Sequence, residues 1–522
     1  MKSLKTKASA NRVGSKDAPV KTINAGMLAN TDSLHLRVKV LKGDKEIYNE
    51  RANSLTAGFV GLLNYWLGPM DASDTGHPES SNTYYQPKPN SHIFANGRLH
   101  TNSTPPTHPI LADISSWPAS DTIRITHNSS AQVNRQWRDA HYIVIQNPDN
   151  AGIYKVLGVD IINTTTTDIQ LEGLNADAGD SVEGGCIGIS AFNTRRFTTP
   201  FTTSGRANRI YIGRSSEPTS IYDFWLHDMH DLDDFTGYNI NVTPPVIAVN
   251  QSRIAMSAQF TNVSGGQRNV SEIGLTTMLY GHSATGTDTD PNQGQGWLDR
   301  NFEPVSGFHS HILMIARDTV TPFTVDPAES FTVIYEIVSS VNVGETSGVV
   351  AAFNEILYRQ LAVLNRVVRT YFNVDHEDNN STYPYQIKNT GLENRTLEKI
   401  LGPILGSEET EVDIDDYFLR NISNGHSRII HGEENGRLYY YDPVVKDVIK
   451  DQNECYFVVE RFVENRGSVN VTAKQIGFVC LSAESSSHPA LLTHDIIPAV
   501  DQITFEPGDI YRIVYKIGVA QN

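Results

Sequence analysis

Cysteine is scarce in this chain. Three occur among 522 residues, Cys186, Cys455 and Cys480. They form no C-x-x-C and no metal-ligand spacing, so neither a zinc site nor a disulfide framework is indicated, and buried reduced thiols on strands are expected. Long apolar runs are missing too: none approaches the ~18 residues of a membrane-spanning helix. The N-terminus, MKSLKTKASANRVGSKDAPVKT, is basic but has no apolar segment of the signal-peptide kind. A soluble, non-secretory chain without a membrane partner is the expectation. Positive charge is short overall. A formal net charge of −17 argues against a nucleic-acid-binding body, because phosphate contact needs Lys and Arg. Catalytic signatures are also lacking. There is no G-x-S-x-G elbow, P-loop, H-E-x-x-H or G-x-G-x-x-G fingerprint, so neither an enzyme nor a cofactor is expected.

Apolar content is sufficient. At 39% hydrophobic and 9% aromatic residues, the chain can build packed cores. Its length has room for about two to four domains. One stretch is written twice: Gly213 to Leu226 reads GRSSEPTSIYDFWL, and Gly406 to Leu419 reads GSEETEVDIDDYFL. Without a gap, Gly213 pairs with Gly406, Asp223 with Asp416 and Leu226 with Leu419. The flanks continue alike. Phe260 to Leu275 lies against Phe462 to Phe478, and Ala316-Arg317-Asp318 against Thr493-His494-Asp495. The block from Val325-Asp326-Pro327 to Ile337 lies against that from Phe505-Glu506-Pro507 to Ile517. Four blocks in one order at similar spacing imply a duplication, and two units imply two homologous domains rather than a solenoid.

Taken in order, residues 1–33 read as an extended basic arm. They carry few large apolar side chains and cannot bury a face of their own. Lys2, Lys5, Lys7 and Arg12 are its candidate docking residues for an acidic neighbouring subunit. Residues 34–340 read as the first β-sandwich domain. It opens with LHLRVKV, whose strict alternation is that of a half-buried strand. Gly43-Asp44 is a hairpin turn, and Asn53 or Ser54 caps a helix from Leu55 to Leu67. The helix expected to match it in the second copy is Phe353 to Phe372, each helix packing on its own sandwich. Residues 68–204 have no counterpart. Their first part, through Pro118, is rich in Pro, Ser, Asn, His and Thr and reads as a surface excursion. At about 120–190, five strand-like runs (IRIT, HYIVI, GIYKVLGVDI, TTDIQL and CIGIS) suit a small inserted β-barrel. Residues 341–522 read as the second β-sandwich domain, with short strands and regular turn signals like the first. The fold class expected is therefore all-β dominated.

Three clusters have metal or acid–base composition. Asp223, His227, Asp228, His230, Asp231, Asp233 and Asp234 lie in DFWLHDMHDLDD, but the second copy keeps only Asp416 and puts Arg420 and Ser423 at the histidine positions; a solvated loop is the plainer reading. Asp288, Asp290, Asn292 and Asp299 approximate a calcium loop. Its sixth position is Gln293 where Gly is needed, and its twelfth is Asp299 where a bidentate Glu is needed. A polar hairpin loop accounts for it as well. Finally, Arg317-Asp318 and His494-Asp495 recur near Pro322 and Pro498. No nucleophile recurs beside them, so they are expected to fix strand-end geometry.

The order of blocks resembles a group of virion structural proteins of tailed bacteriophages. The residues that carry the resemblance are Ile212-Gly213, Glu272-Ile273-Gly274-Leu275 and Ala316-Arg317-Asp318 in the first copy. In the second they are Ile476-Gly477-Phe478 and Pro507-Gly508 through Tyr515-Lys516-Ile517. The first copy departs at Ala328, where glycine is usual, and the second at Thr493-His494. The resemblance implies a β-rich virion component at capsid, connector or tail, a homo-oligomer in the particle with other virion proteins as partners, and no catalytic residues. A receptor-binding or glycan-binding adhesin is the alternative, with Trp66, Tyr84 and Tyr85 available to stack on sugars.

Overall fold

The structure, a computed structural model, describes residues 20–52, 54–67, 84–85, 96–100, 112–127, 142–147, 149–150, 152–182, 185–189, 194–195, 209–238, 240–281, 297–298, 304–305, 308–341, 347–351, 353–354, 357, 402–409, 412–413, 427–446, 449–450, 453–482 and 488–521. It is all-β dominated. The chain starts with β1 (Lys21–Ala29), β2 (Leu34–Lys42), β3 (Lys45–Ala52) and α1 (Ala57–Leu67). Six strands follow: β4 (Ala112–Ala119), β5 (Thr122–Thr126), β6 (Tyr142–Ile145), β7 (Gly152–Ile161), β8 (Thr166–Glu172) and β9 (Gly185–Ile189). Next come β10 (Arg209–Gly213), β11 (Asn241–Ala248), β12 (Gln251–Asn262), β13 (Arg268–Gly281), β14 (Phe308–Val325) and β15 (Ser330–Ser340). The last are β16 (Ser347–Val349), β17 (Gly402–Gly406), β18 (Glu454–Glu464), β19 (Gln475–Ser482), β20 (His488–Ile496) and β21 (Ile510–Ala520).

In the first half, β12, β15, β2 and β3 are successive neighbours in one sheet, with β11 on β12. β10, β13 and β14 make a second sheet, extended by Asn96–His100. In the second half, β1, β21 and β18 are neighbours in one sheet, and β16, β20, β19 and β17 in another. Alternation explains β2: Leu34, Leu36, Val38 and Val40 are fully buried, while Arg37 is exposed. The turn after it is the expected one, with Gly43 at φ +60°.

Residues 21–29, inside the expected arm, are a core strand. β1 runs parallel to β21, from Lys21 opposite Tyr511 to Ala29 opposite Val519. Ile23, Ala25, Met27 and Ala29 are buried in a single apolar core. That core also holds Leu36, Phe59, Ile254 and Tyr335 from the first half and Phe457, Ile513 and Tyr515 from the second. Burying Ile23 and Met27 is worth roughly 1.5–3 kcal/mol each. Lys2, Lys5, Lys7 and Arg12 lie outside the described residues, as do Asp288, Asp290, Asn292 and Asp299.

Helix α1 departs from its expected place in two ways. It begins at Ala57, because Leu55 stays extended and bridges Ala316 of β14. The cap is then Thr56, whose hydroxyl accepts the Gly58 N–H at 3.2 Å. The helix also packs on both halves, against β14 and against β18 and β21, not on one sandwich. Most of Phe353 to Phe372 lies outside the described residues. Among the described residues, no helix is long and apolar enough to cross a membrane.

The inserted module is a closed barrel with the strand order β8-β5-β4-β9-β6-β7. It has six strands, not five, and starts at Ala112. β4 (ADISSWPA) belongs to it although it falls in the stretch read as a surface excursion. Ile114, Ile123, Ile125, Ile143, Ile145 and Leu171 fill a core separate from the main one. Cys186 is buried there on β9, and Cys455 is buried on β18.

Two corners in the two halves carry the same bonds. Asn262 donates to the Gly266 and Val325 carbonyls at 2.8 Å each, and Asn465 to those of Val469 and Phe505 at 2.8 Å each. The Ala328 N–H reaches the Asn262 carbonyl at 2.9 Å, and the Gly508 N–H the Asn465 carbonyl at 2.7 Å. Both donors are left-handed, Ala328 at φ +62° and Gly508 at φ +86°. A Cβ in that region costs about 1 kcal/mol. Ala328→Gly should therefore stabilise the protein by up to about 1 kcal/mol, and Gly508→Ala should cost about 1 kcal/mol. Thermal unfolding of the two variants checks the opposite signs.

Candidate functional site

The stretch that is written twice begins at the end of a strand in each half. Gly213 closes β10 opposite Glu272 of β13, and Gly406 closes β17 opposite Gln475 of β19. Glycine is required at both because the partner's side chain crosses the strand there. A Cβ on Gly406 would lie 2.6 Å from Gln475 Oε1, and one on Gly213 would lie 2.6 Å from the Asp228 carbonyl and against the Glu272 carboxylate. The returning loop is bonded alike in each half. Arg214 N–H donates to Asp228 O and Ser407 N–H to Ser427 O, both at 2.8 Å.

Beneath the first loop lies a buried ionic anchor. Arg317 on β14 is fully buried and donates through Nε to Glu272 Oε1 at 2.6 Å and through Nη1 to Asp223 Oδ2 at 2.9 Å. Its Nη1 and Nη2 also reach the Pro218 and Glu217 carbonyls at 3.0 and 3.1 Å. Glu272 accepts the N–H groups of His227 at 2.7 Å and Asp228 at 3.1 Å, and Asp223 accepts that of Ser220 at 2.8 Å. One guanidinium thus fixes both ends of the loop. Burial alone would lower the Arg317 pKa, but the Asp223 and Glu272 charges outweigh it and hold the pKa raised. Over this anchor, Trp225 packs on Tyr211 with ring centroids 4.8 Å apart, and Leu226 lies where a Cβ on Gly274 would be 2.8 Å away.

The acidic and histidine residues of this loop are committed to neighbours. His227 Nε2 lies 3.3 Å from Asp223. Asp228 pairs with Arg214, and Asp234 with Arg268, each at 2.7 Å. The Arg268 hydrogen bond holds the Asp234 carboxyl below its usual range. His230 reaches the Asn269 carbonyl at 2.7 Å. Among the described residues, no group of three or more His, Cys, Asp or Glu side chains could hold a metal ion. Asp231 and Asp233 are exposed.

The second half replaces this charge with neutral groups. Gln475 takes the place of Glu272 and accepts the Ser427 hydroxyl at 2.6 Å, while His494 takes the place of Arg317. Asp416 lies outside the described residues. Next in sequence to this pair, both halves bring an Asp close to a buried Tyr. Burial pushes the Asp318 carboxyl up to about 6, with the Ser54 and Tyr335 hydroxyls and the Arg317 charge pulling the other way. Burial also raises Asp495, against a hydrogen bond from the Gly348 backbone. Tyr335 donates to the Ile273 carbonyl at 3.1 Å, and Tyr515 is hydrogen-bonded to Thr493. The recurring Arg-Asp and His-Asp pairs therefore sit within the fold, bonded to structural partners. Pairing was not visible in the sequence, although the joint change of Glu272 to Gln475 and Arg317 to His494 is a signal for it.

No protein-family model matches the chain, and no curated protein sequence matches it.

Removing one partner of a buried ion pair leaves the other charge uncompensated, at a cost of about 3–5 kcal/mol. Arg317→His should destabilise on that scale, and Arg317→His with Glu272→Gln, the pairing found in the second half, should recover a substantial part. A double-mutant cycle on unfolding midpoints checks the coupling. Asp318 gives a pH dependence of defined sign. Its folded pKa lies above the unfolded value near 3.9, so between these values the folded state holds a proton the unfolded state has lost. Stability contributed by this group falls as pH rises from about 4 to about 6, by roughly 3 kcal/mol in all, and is level above that. Asp318→Asn should abolish this fall, as read from unfolding midpoints between pH 4 and 7.

Proposed function

We propose that this protein is a structural component of a tailed-phage virion, built from two copies of one β-sandwich unit with a β-barrel inserted in the first. It assembles through its β-domain faces and its N-terminal basic residues onto capsid, connector or tail neighbours. The observation that carries the reading is the use made of the residues that resemble virion proteins. Gly213, Glu272, Gly274 and Arg317 make room for, and bond, one loop, and Gly508 turns a corner. Tyr515 closes a buried hydrogen bond to Thr493. These groups hold shape, and shape held in matched halves is what a repeated assembly part supplies to its neighbours.

The duplication reading rests on the same bonds falling at the same sequence offsets: Gly213 with Gly406, Asn262 with Asn465, and Ala328 with Gly508. A basic N-terminus on a chain of net charge −17 gives neighbouring copies or virion proteins an attractive contact that salt weakens.

Cross-linking of Lys2, Lys5 and Lys7 on purified particles, read by mass spectrometry, tests the proposal. Links from these lysines to a major capsid, connector or tail protein are expected. Absence of the chain from particles, or links confined to the chain itself together with glycan binding by the full protein, would overturn it in favour of an adhesin.

A further inference from the structure

The strand β1 occupies a built site. It lies parallel to β21, the last strand of the chain, and it is paired with no other strand among the described residues. Its middle is keyed by Gly26. A Cβ there would lie 2.6 Å from the Lys516 carbonyl oxygen and 2.9 Å from Lys516 Cβ, so larger residues are excluded. Its ends are held as well. At the start, Lys21 Nζ lies 3.5 Å from Asp509 and 5.1 Å from the centre of the Tyr511 ring. At the finish, Asn30 takes a left-handed φ of +65° and donates to the Leu55 and Ala520 carbonyls at 3.0 and 2.9 Å. Its Oδ1 accepts the Leu55 N–H at 3.0 Å. Between the ends, Ile23, Ala25 and Met27 fill the core. Backbone pairing, side-chain sockets and a fixed register are the marks of recognition by strand addition.

The only covalent tie holding β1 to the site from its own side is residues 30–33, which lead into β2 in the other half's sheet. Both sides of the pairing are far apart in the chain: Asn30 and Ala520 are separated by 490 positions. β1 is therefore made first and its partner last. Until the chain is complete, β1 has no β21 of its own, and a finished neighbour offers a chemically identical edge. A short connection between elements of different sheets is also the arrangement in which exchange between copies keeps every contact of the strand. The sequence before β1 favours a neighbour as host: residues 1–19 carry five basic side chains and one acid, on a chain of net charge −17.

We infer that the edge of β21 is a strand-acceptor site whose occupant, in an assembly, is the segment Lys21–Ala29 of a second copy of this chain. The inference does not depend on which particle or complex the copies build.

Asn24 and Val514 are register partners whose side chains lie off the core face, so cysteines there report the pairing. Two differently tagged full-length chains, one Asn24→Cys and one Val514→Cys, would be co-expressed, allowed to assemble and oxidised. The expected product is a disulfide-linked dimer carrying both tags, absent when either chain is expressed alone and lost when Gly26→Val is added to the first. The double variant Asn24→Cys/Val514→Cys in one chain reports seating within a chain. A within-chain link in the double variant with no mixed dimer from the single variants would overturn the inference, as would a mixed dimer that survives Gly26→Val. A failure of both links would overturn it too, because the register on which it stands would then be wrong.

Discussion

The pairing of the first described strand with the last is the constraint on which the rest depends. β1 and β21 are parallel, and no hairpin can make a parallel pair; here the connection is nearly the whole protein. Because β1 continues into β2, the sheet of the second half and that of the first are tied by four residues, 30–33. α1 adds a second tie by packing on β14 from one half and on β18 and β21 from the other. A single apolar core follows from these ties. Neither half can be separated without exposing Ile23, Met27 and Phe59, so the halves stand or fall together whatever their origin. Long-range pairing of this kind is slow to form, since loop closure precedes the contacts that reward it.

Within that frame, the two halves solve one local problem with different electrostatics. A loop must return to the end of a strand and stay there. The first half uses a buried guanidinium between two carboxylates, which holds the loop at several points but requires three desolvated charges to be mutually satisfied. The second half meets the same geometry at Gly406 with Gln475 and Ser427, whose neutral groups are less costly to bury. The extra carbonyl ligands of Arg317, Glu217 and Pro218, show what the charge achieves: it orders a longer stretch of backbone than one amide can reach.

Legibility in the sequence followed the size of the side chains. β2 and β12 were readable because large β-branched or aliphatic residues alternate with polar ones, and five barrel strands were readable for the same reason. β1 has the same period in Ile23, Ala25, Met27 and Ala29, but two of its four inward residues are alanine and Gly26 interrupts the outer face. Small residues weaken a hydrophobic pattern, yet here they are what allows β1 to lie close to Lys516. β4 was hidden by Ser115, Ser116 and Pro118, which resemble loop composition although Ala112, Ile114 and Trp117 face the barrel core. Helix α1 was placed correctly and its cap was not, because the bridge from Leu55 to Ala316 is a tertiary bond that no local signal carries. The loop's histidines and acids looked like ligands by composition. Their partners, Arg214, Arg268 and Arg317, are brought in by the fold from elsewhere in the chain.

The barrel gives the first loop a task that the second lacks. Its core is separate from the main one, so its fold does not depend on the halves. Its placement, however, is read from the loop: Gln146, just beyond β6, is buried and donates to the Trp225 carbonyl at 2.8 Å. Trp225 is held in turn by Tyr211 and by the backbone that Arg317 and Glu272 fix. A loop that carries a second module must resist load at both ends, whereas one that only returns to its strand need not. The stronger, ionic anchor stands in the half that holds the barrel, and the neutral one stands in the half that does not.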